Sequence, residues 1–109
     1  MIVRERDIQA RVVGYARAKQ CLARKLDFGQ GWPDYMILHH GELLFIEFKT
    51  ARGALTPLQQ HIHAELRKRG FEVHVVRDIE HGILLIEKFV AQPAHAVVDY
   101  GAITKELCK

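Results

Sequence analysis

The sequence predicts an α/β domain of element order αβββαβ, a mixed central sheet flanked by helices, with a C-terminal helical extension. Three observations predict it. In Leu43-Leu44-Phe45-Ile46-Glu47-Phe48 both alternating faces are apolar until Glu47, the pattern of a central strand covered on both sides. Thr56-Pro57-Leu58-Gln59 is a helix start, with threonine as N-cap, proline in the first turn and glutamine at the third helical position. A further strand pattern follows that helix, and a strand reached by a helical crossover lies parallel to its predecessor with a right-handed connection.

Taken in order, Ile8, Val12, Tyr15 and Ala16 recur at helical spacing between Val3 and Lys19, while the arginines fall mainly on other faces. This is an amphipathic helix. Cys21 to Leu26 forms a short strand. In the loop Phe28-Gly29-Gln30-Gly31-Trp32-Pro33 the glycines permit unusual dihedrals and the proline forces Trp32 extended, leading into Asp34. Tyr35 to His39 and Leu43 to Lys49 read as strands joined by a tight turn at His40-Gly41. The helix capped by Thr56 runs to Arg69 and stops at Gly70, and Phe71 to Arg77 is the fourth strand. Asp78 caps a last helix in which Ile79, Ile83, Ile86 and Val90 keep helical spacing despite Gly82. Past Pro93, Ala94 to Lys109 is expected to add a short helix.

With 109 residues, 49% apolar and 27% charged, the chain has length for one domain over 1–109, a core at 4–91 and an extension at 92–109. Apolar runs stop at four residues, as in Leu43 to Ile46 and Ile83 to Ile86, too short to cross a bilayer. The first residues turn charged at once and lack a signal-peptide stretch, so a cytoplasmic protein is expected. Cys21 and Cys108 lack CxxC or CxxH spacing and read as free thiols. Seven histidines include His39-His40 and the helical pair His61 and His63, but residues two apart on a helix point apart, which argues against zinc.

The formal charge of +3 is unevenly spread. Residues 1–25 hold seven bases against two acids, whereas the remainder holds nine bases and eleven acids. A basic first quarter suits a polyanionic partner, since lysines and arginines that neutralise phosphates release counterions; the alternative is a solvated helix face.

Glu47 is the anomaly, because a carboxylate in an apolar central strand is costly to desolvate unless paired or bound to a cation. Lys49, two residues on, shares its face, and the neighbouring strand begins at Asp34. Two acids packed together repel unless a hard cation lies between them, and oxygen ligands of this kind suit Mg²⁺ or Mn²⁺. A structural ion pair of Glu47 with Lys49, with Asp34 only capping a turn, is the alternative. The ordered set Pro33-Asp34, a gap of twelve, Glu47-Phe48-Lys49, then Gly53-Ala54-Leu55-Thr56-Pro57-Leu58-Gln59 favours the first reading.

These residues resemble the VRR-NUC (virus-type replication-repair nuclease) branch of the PD-(D/E)XK nucleases, from about Glu5 to Arg77. The resemblance is carried by Glu5 and Gln9 in the first helix, Gly31-Trp32-Pro33-Asp34, Phe45-Ile46-Glu47-Phe48-Lys49-Thr50, and Leu55-Thr56-Pro57-Leu58-Gln59, where threonine replaces the common serine and keeps its hydroxyl. It implies a restriction-endonuclease-like fold and divalent-metal-dependent cleavage of DNA phosphodiesters, with small members similar to phage or bacterial nucleases of branched, flapped or four-way DNA. The implied cofactor is Mg²⁺ or Mn²⁺, held by Asp34, Glu47 and the main-chain carbonyl of Phe48, with Glu5 either a further acid at the metal or a first-turn glutamate that favours the helix macrodipole. Lys49 would position water, and Gln59, which can also simply close the capping box, would support the site. Gln9 would help from the first helix or lie on the surface. Arg11, Arg17, Lys19 and Trp32 are the candidate DNA contacts; Tyr35 and Phe28 read rather as core aromatics. Symmetric cutting of a four-way junction needs two active sites, hence a homodimer. From another class, a catalytically silent nucleic-acid-binding subunit would keep the fold for its basic surface. The resemblance also implies the cytoplasm of a bacterial or phage-infected cell.

Overall fold

The reciprocal cap that the sequence predicts at Thr56 forms: Gln59 N–H donates to Thr56 Oγ1 at 3.1 Å and Thr56 N–H donates to Gln59 Oε1 at 2.9 Å. In this computed structural model, which describes residues 3–93, that cap opens α2 (Pro57–Lys68). The other elements are α1 (Glu5–Ala18), β1 (Leu22–Lys25), β2 (Tyr35–His39), β3 (Glu42–Phe48), β4 (Glu72–Val76) and α3 (Ile79–Val90). The expected order αβββαβ is therefore present, followed by the helix that Asp78 caps through Oδ1, which accepts the His81 N–H at 2.7 Å. The expected helix at Ala94 to Lys109, and Cys108, lie outside the described residues.

The four strands form one mixed sheet in the order β1-β2-β3-β4, antiparallel except for the β3/β4 pair, which is parallel across the α2 crossover. β3 is central, and every residue from Leu44 to Phe48 is buried. Its ladder continues one residue beyond the strand, where Lys49 N–H donates to Val76 O at 3.0 Å. Two layers cover the sheet. α1 and α3 pack on one face with Ile8, Val12, Ile37, Leu44, Ile46, Phe48 and Ile86. On the other, Leu66 of α2 meets Phe45 and Val73, with Trp32, Met36 and Ile62 half-buried beside them. Strand alternation then puts Glu47 and Lys49 on the α2 face, with Phe45.

Two details differ from the sequence reading. Val13 is buried in α1, whereas Tyr15 is half-buried and its hydroxyl reaches Glu87 Oε1 of α3 at 2.9 Å. The aromatic ring can cover the α1–α3 seam while its polar tip stays at the rim. Gly82 is a packing position: a Cβ there would stand 2.3 Å from Val12 Cγ2 and 3.0 Å from Val76 Cγ1. The glycine lets α3 approach α1 and β4 closely. Among the described residues no helix is long and apolar enough to cross a membrane.

Candidate active site

Asp34 is delivered by the loop that the glycines and proline shape. Gly31 has φ +89°, and a Cβ there would lie 2.6 Å from Leu58 Cγ, so the loop passes close over the start of α2. Pro33 is fully buried. Leu26 N–H donates to Asp34 O at 2.8 Å, and Phe48 N–H donates to Asp34 Oδ2 at 2.8 Å. The β2/β3 register pairs Tyr35 with Ile46, and one step further it sets Asp34 opposite Glu47.

Glu47 is 2% exposed. Burial, foremost, then the nearby Asp34 charge and a hydrogen bond with Asp34, push its carboxyl up to about 8; Lys49 opposes this, and Glu5 adds a smaller upward push. The structural ion pair with Lys49 does not form: among the described residues the basic group within 4.0 Å of Glu47 is His63, whose Nε2 stands 3.5 Å from Oε1. Glu47 Oε1 is buried without a hydrogen-bond partner. An extended residue turns its N–H and C=O to the same side, so the Phe48 carbonyl faces the Asp34 edge as its amide does. Two carboxylates and a carbonyl are hard oxygen donors, and the Asp34 charge set against the buried Glu47 carboxyl is what a cation between them would offset. Residues 34, 47 and 48 therefore fit Mg²⁺ or Mn²⁺. Among the described residues no three His, Cys, Asp or Glu side chains form a metal-holding group, so the main-chain donor is required.

In a comparison with solved structures, the chain is similar to a VRR-NUC domain at 31% identity, with a TM-score of 0.71, covering 78% of this chain and 96% of that one. The chain belongs to the VRR-NUC family. No family model matches it, and no curated protein does.

Around the acids of this VRR-NUC domain, Lys49 is half-buried and its charge opposes the rise of Glu47. The loop that follows Lys49 is pinned by Arg77, whose Nη1 donates to Thr50 O at 3.0 Å and also to Gly53 O. Sequence reasoning passed over this clamp, for the partners lie 27 and 24 residues away. Glu5 is exposed in the first turn of α1, close enough for its charge to act on Glu47, and Gln9, one turn on, is half-buried. The Gln59 Oε1 belongs to the helix cap, which leaves its amide nitrogen as the group available to the site.

The basic candidates lie along α1. Arg11, Arg17 and Lys19 are exposed; Arg17 Nη2 donates to Ala23 O at 3.1 Å, and Lys19 Nζ lies 5.4 Å from the Tyr15 ring centroid. Trp32 is half-buried beside the α2 core, and Tyr35 is buried as expected, but Phe28, expected in the core, is exposed: the loop holds it outside the sheet layers, edge-on to the Trp32 ring at 5.2 Å. Trp32 thus has a structural task whether or not it meets DNA.

His63, which the sequence reading weighed only as a zinc ligand, has a place beside the acids. It is fully buried, its burial and the Arg67 charge hold its pKa below the ordinary imidazole value, and neither ring nitrogen has a hydrogen-bond partner. The available signal was its place on the Gln59–Ile62–Leu66 stripe of α2, which already marked it as facing the sheet.

Proposed function

We propose that this VRR-NUC domain is a divalent-metal-dependent DNA endonuclease that hydrolyses phosphodiester bonds, with branched, flapped or four-way DNA as its substrate class. The observation that carries the reading is the buried Glu47 carboxylate set against Asp34, two acids brought together at the end of the central strand. Asp34, Glu47 and the Phe48 carbonyl would hold Mg²⁺ or Mn²⁺, with Glu5 near enough to contribute charge. When bound, the cation polarises the scissile phosphate and lowers the pKa of the attacking water. Lys49 orients that water and offsets charge developing on the phosphoryl oxygens. Gln59 contributes through its amide nitrogen. DNA would run along α1, where Arg17 lies about 18 Å from Glu5 at about 1.5 Å per residue, so Arg11, Arg17 and Lys19 would meet phosphates beyond the cut site. Trp32 would contact the strand near the loop. A homodimer would supply the second active site for symmetric cleavage of a four-way junction.

The test incubates wild type and Lys49→Ala with labelled linear, nicked, flapped and four-way DNAs in Mg²⁺ or Mn²⁺. Cleavage of a branched substrate by wild type and its loss in the variant are expected. Binding without cleavage of any substrate would turn the assignment to a silent DNA-binding subunit, and equal cleavage by both proteins would remove Lys49 from the mechanism.

A further inference from the structure

α2 presents an apolar stripe to the sheet through Ile62 and Leu66, yet places an imidazole between them in sequence, at His63. A leucine would fill such a position without a polar penalty, whereas a buried imidazole with neither nitrogen partnered is unfavourable. The orphan faces another. Glu47 Oε1 is buried and unpartnered, and His63 Nε2 is 3.5 Å from it, outside the normal range of a formed hydrogen bond. The two side chains approach from different layers, one from α2 and one from the central strand, and both are enclosed. A neutral imidazole carries one N–H and one lone pair, so Nε2–H can donate to a carboxylate oxygen. The terminal torsion of a glutamate is broad, and a small rotation closes the gap.

We propose that His63 is a positioning residue that holds the inner oxygen of Glu47 through Nε2–H, so that the carboxylate meets a divalent cation in one fixed orientation. The inference rests on the metal-dependent reading of this site. Hydrogen bonds from outside a metal's own ligands orient those ligands and strengthen binding, and their loss weakens affinity about 10–100-fold. His63 acts through Glu47 and does not itself coordinate: hard cations prefer oxygen, and Nε2 has the Glu47 Oε1 3.5 Å away as its neighbour. A neutral imidazole has one N–H, and this task uses only one.

The experiment measures Mn²⁺ binding to the full chain by calorimetry and by electron spin-echo spectroscopy for wild type, His63→Leu and His63→Gln, with thermal unfolding of each. His63→Leu is expected to weaken Mn²⁺ binding about 10–100-fold while remaining folded, and His63→Gln, which keeps an N–H donor near the same place, to restore much of the loss. In wild type, the ¹⁵N resonances of the His63 imidazole, assigned by their absence from the His63→Gln spectrum, shift on addition of Mg²⁺. Unchanged Mn²⁺ affinity in a folded His63→Leu protein overturns the proposal. So do ¹⁵N resonances indifferent to Mg²⁺, a readout that needs only wild type and the His63→Gln spectrum and serves if His63→Leu fails to fold. A directly coordinated imidazole nitrogen in the Mn²⁺ spin-echo spectrum overturns it by making His63 a ligand. Failure of wild type to bind either ion sinks the metal reading itself, a result distinct from a failure of His63 alone.

Discussion

The carboxylate of Asp34 accepts the main-chain N–H of Phe48 at 2.8 Å, and this bond fastens the start of β2 to the residue between Glu47 and Lys49. It satisfies a strand amide and leaves the second oxygen of Asp34 uncommitted to that bond. The same contact holds the two negative groups close together, an arrangement tolerable only when one is protonated or a cation lies between them.

Replacing Asp34 by asparagine keeps an oxygen for the Phe48 N–H while removing one of the repelling charges. Turnover should vanish, and thermal unfolding of the metal-free protein should occur at the same or a higher temperature. Asp34→Ala also strands the amide and should lose about 1–3 kcal/mol relative to Asp34→Asn. A large fall in melting temperature for Asp34→Asn would assign this carboxylate a structural role.

Glu47 sets a pH dependence of unusual sign. Its carboxyl rises from 4.5 to about 8 on folding, so between these values the native state binds more protons than the unfolded chain. The resulting stability is fully present below about pH 4.5 and lost as pH rises through about 8. His63 acts oppositely: its lowered pKa costs stability as pH falls below 6.5, because the unfolded imidazole takes up a proton that the buried ring resists. Denaturation in chelator across this range should show stability declining toward pH 8 in wild type, and Glu47→Gln should flatten the decline.

Metal removal offers a third check. A cation that binds only the folded protein stabilises it by about 2.7 kcal/mol at a hundredfold excess over its dissociation constant. Mg²⁺ or Mn²⁺ should therefore raise the melting temperature of wild type above its value in chelator, most clearly near pH 8, where protons compete least. Glu47→Gln should abolish the increment, and an equal increment in that variant would locate the cation elsewhere.

For the first helix, Arg11→Ala should weaken binding to linear and branched duplexes alike and reduce the slope of log affinity against log salt by about 1. Arg17→Ala should do the same, but with a loss of stability, since its guanidinium also holds the Ala23 carbonyl. Salt titrations of binding check both, and an unchanged slope for Arg11→Ala would give that face another use.

Gly82→Ala should destabilise the fold by about 1–3 kcal/mol even though alanine favours helix, because the added methyl would strike Val12 and Val76. Chemical denaturation reads this directly, and a gain in stability would show that α3 can move away from α1 without cost.

What the sequence alone determined is the local grammar. The Thr56–Gln59 cap, the Asp78 cap and the alternation through β3 act over a few residues, so their elements appear with ends shifted by one or two positions. The acid pair was legible too, since an apolar strand does not carry Glu47 without reason. Only the tertiary structure decided what each face meets. Helical period put His63 on the inner stripe of α2 but could not show that Glu47 stands across from it, nor that Arg77 reaches back to Thr50 and Gly53, nor that Gly82 is the contact of three elements. Periodicity fixes direction around one element, whereas these contacts depend on the register between strands and the depth at which a helix packs on the sheet, quantities set by the fit of the whole core.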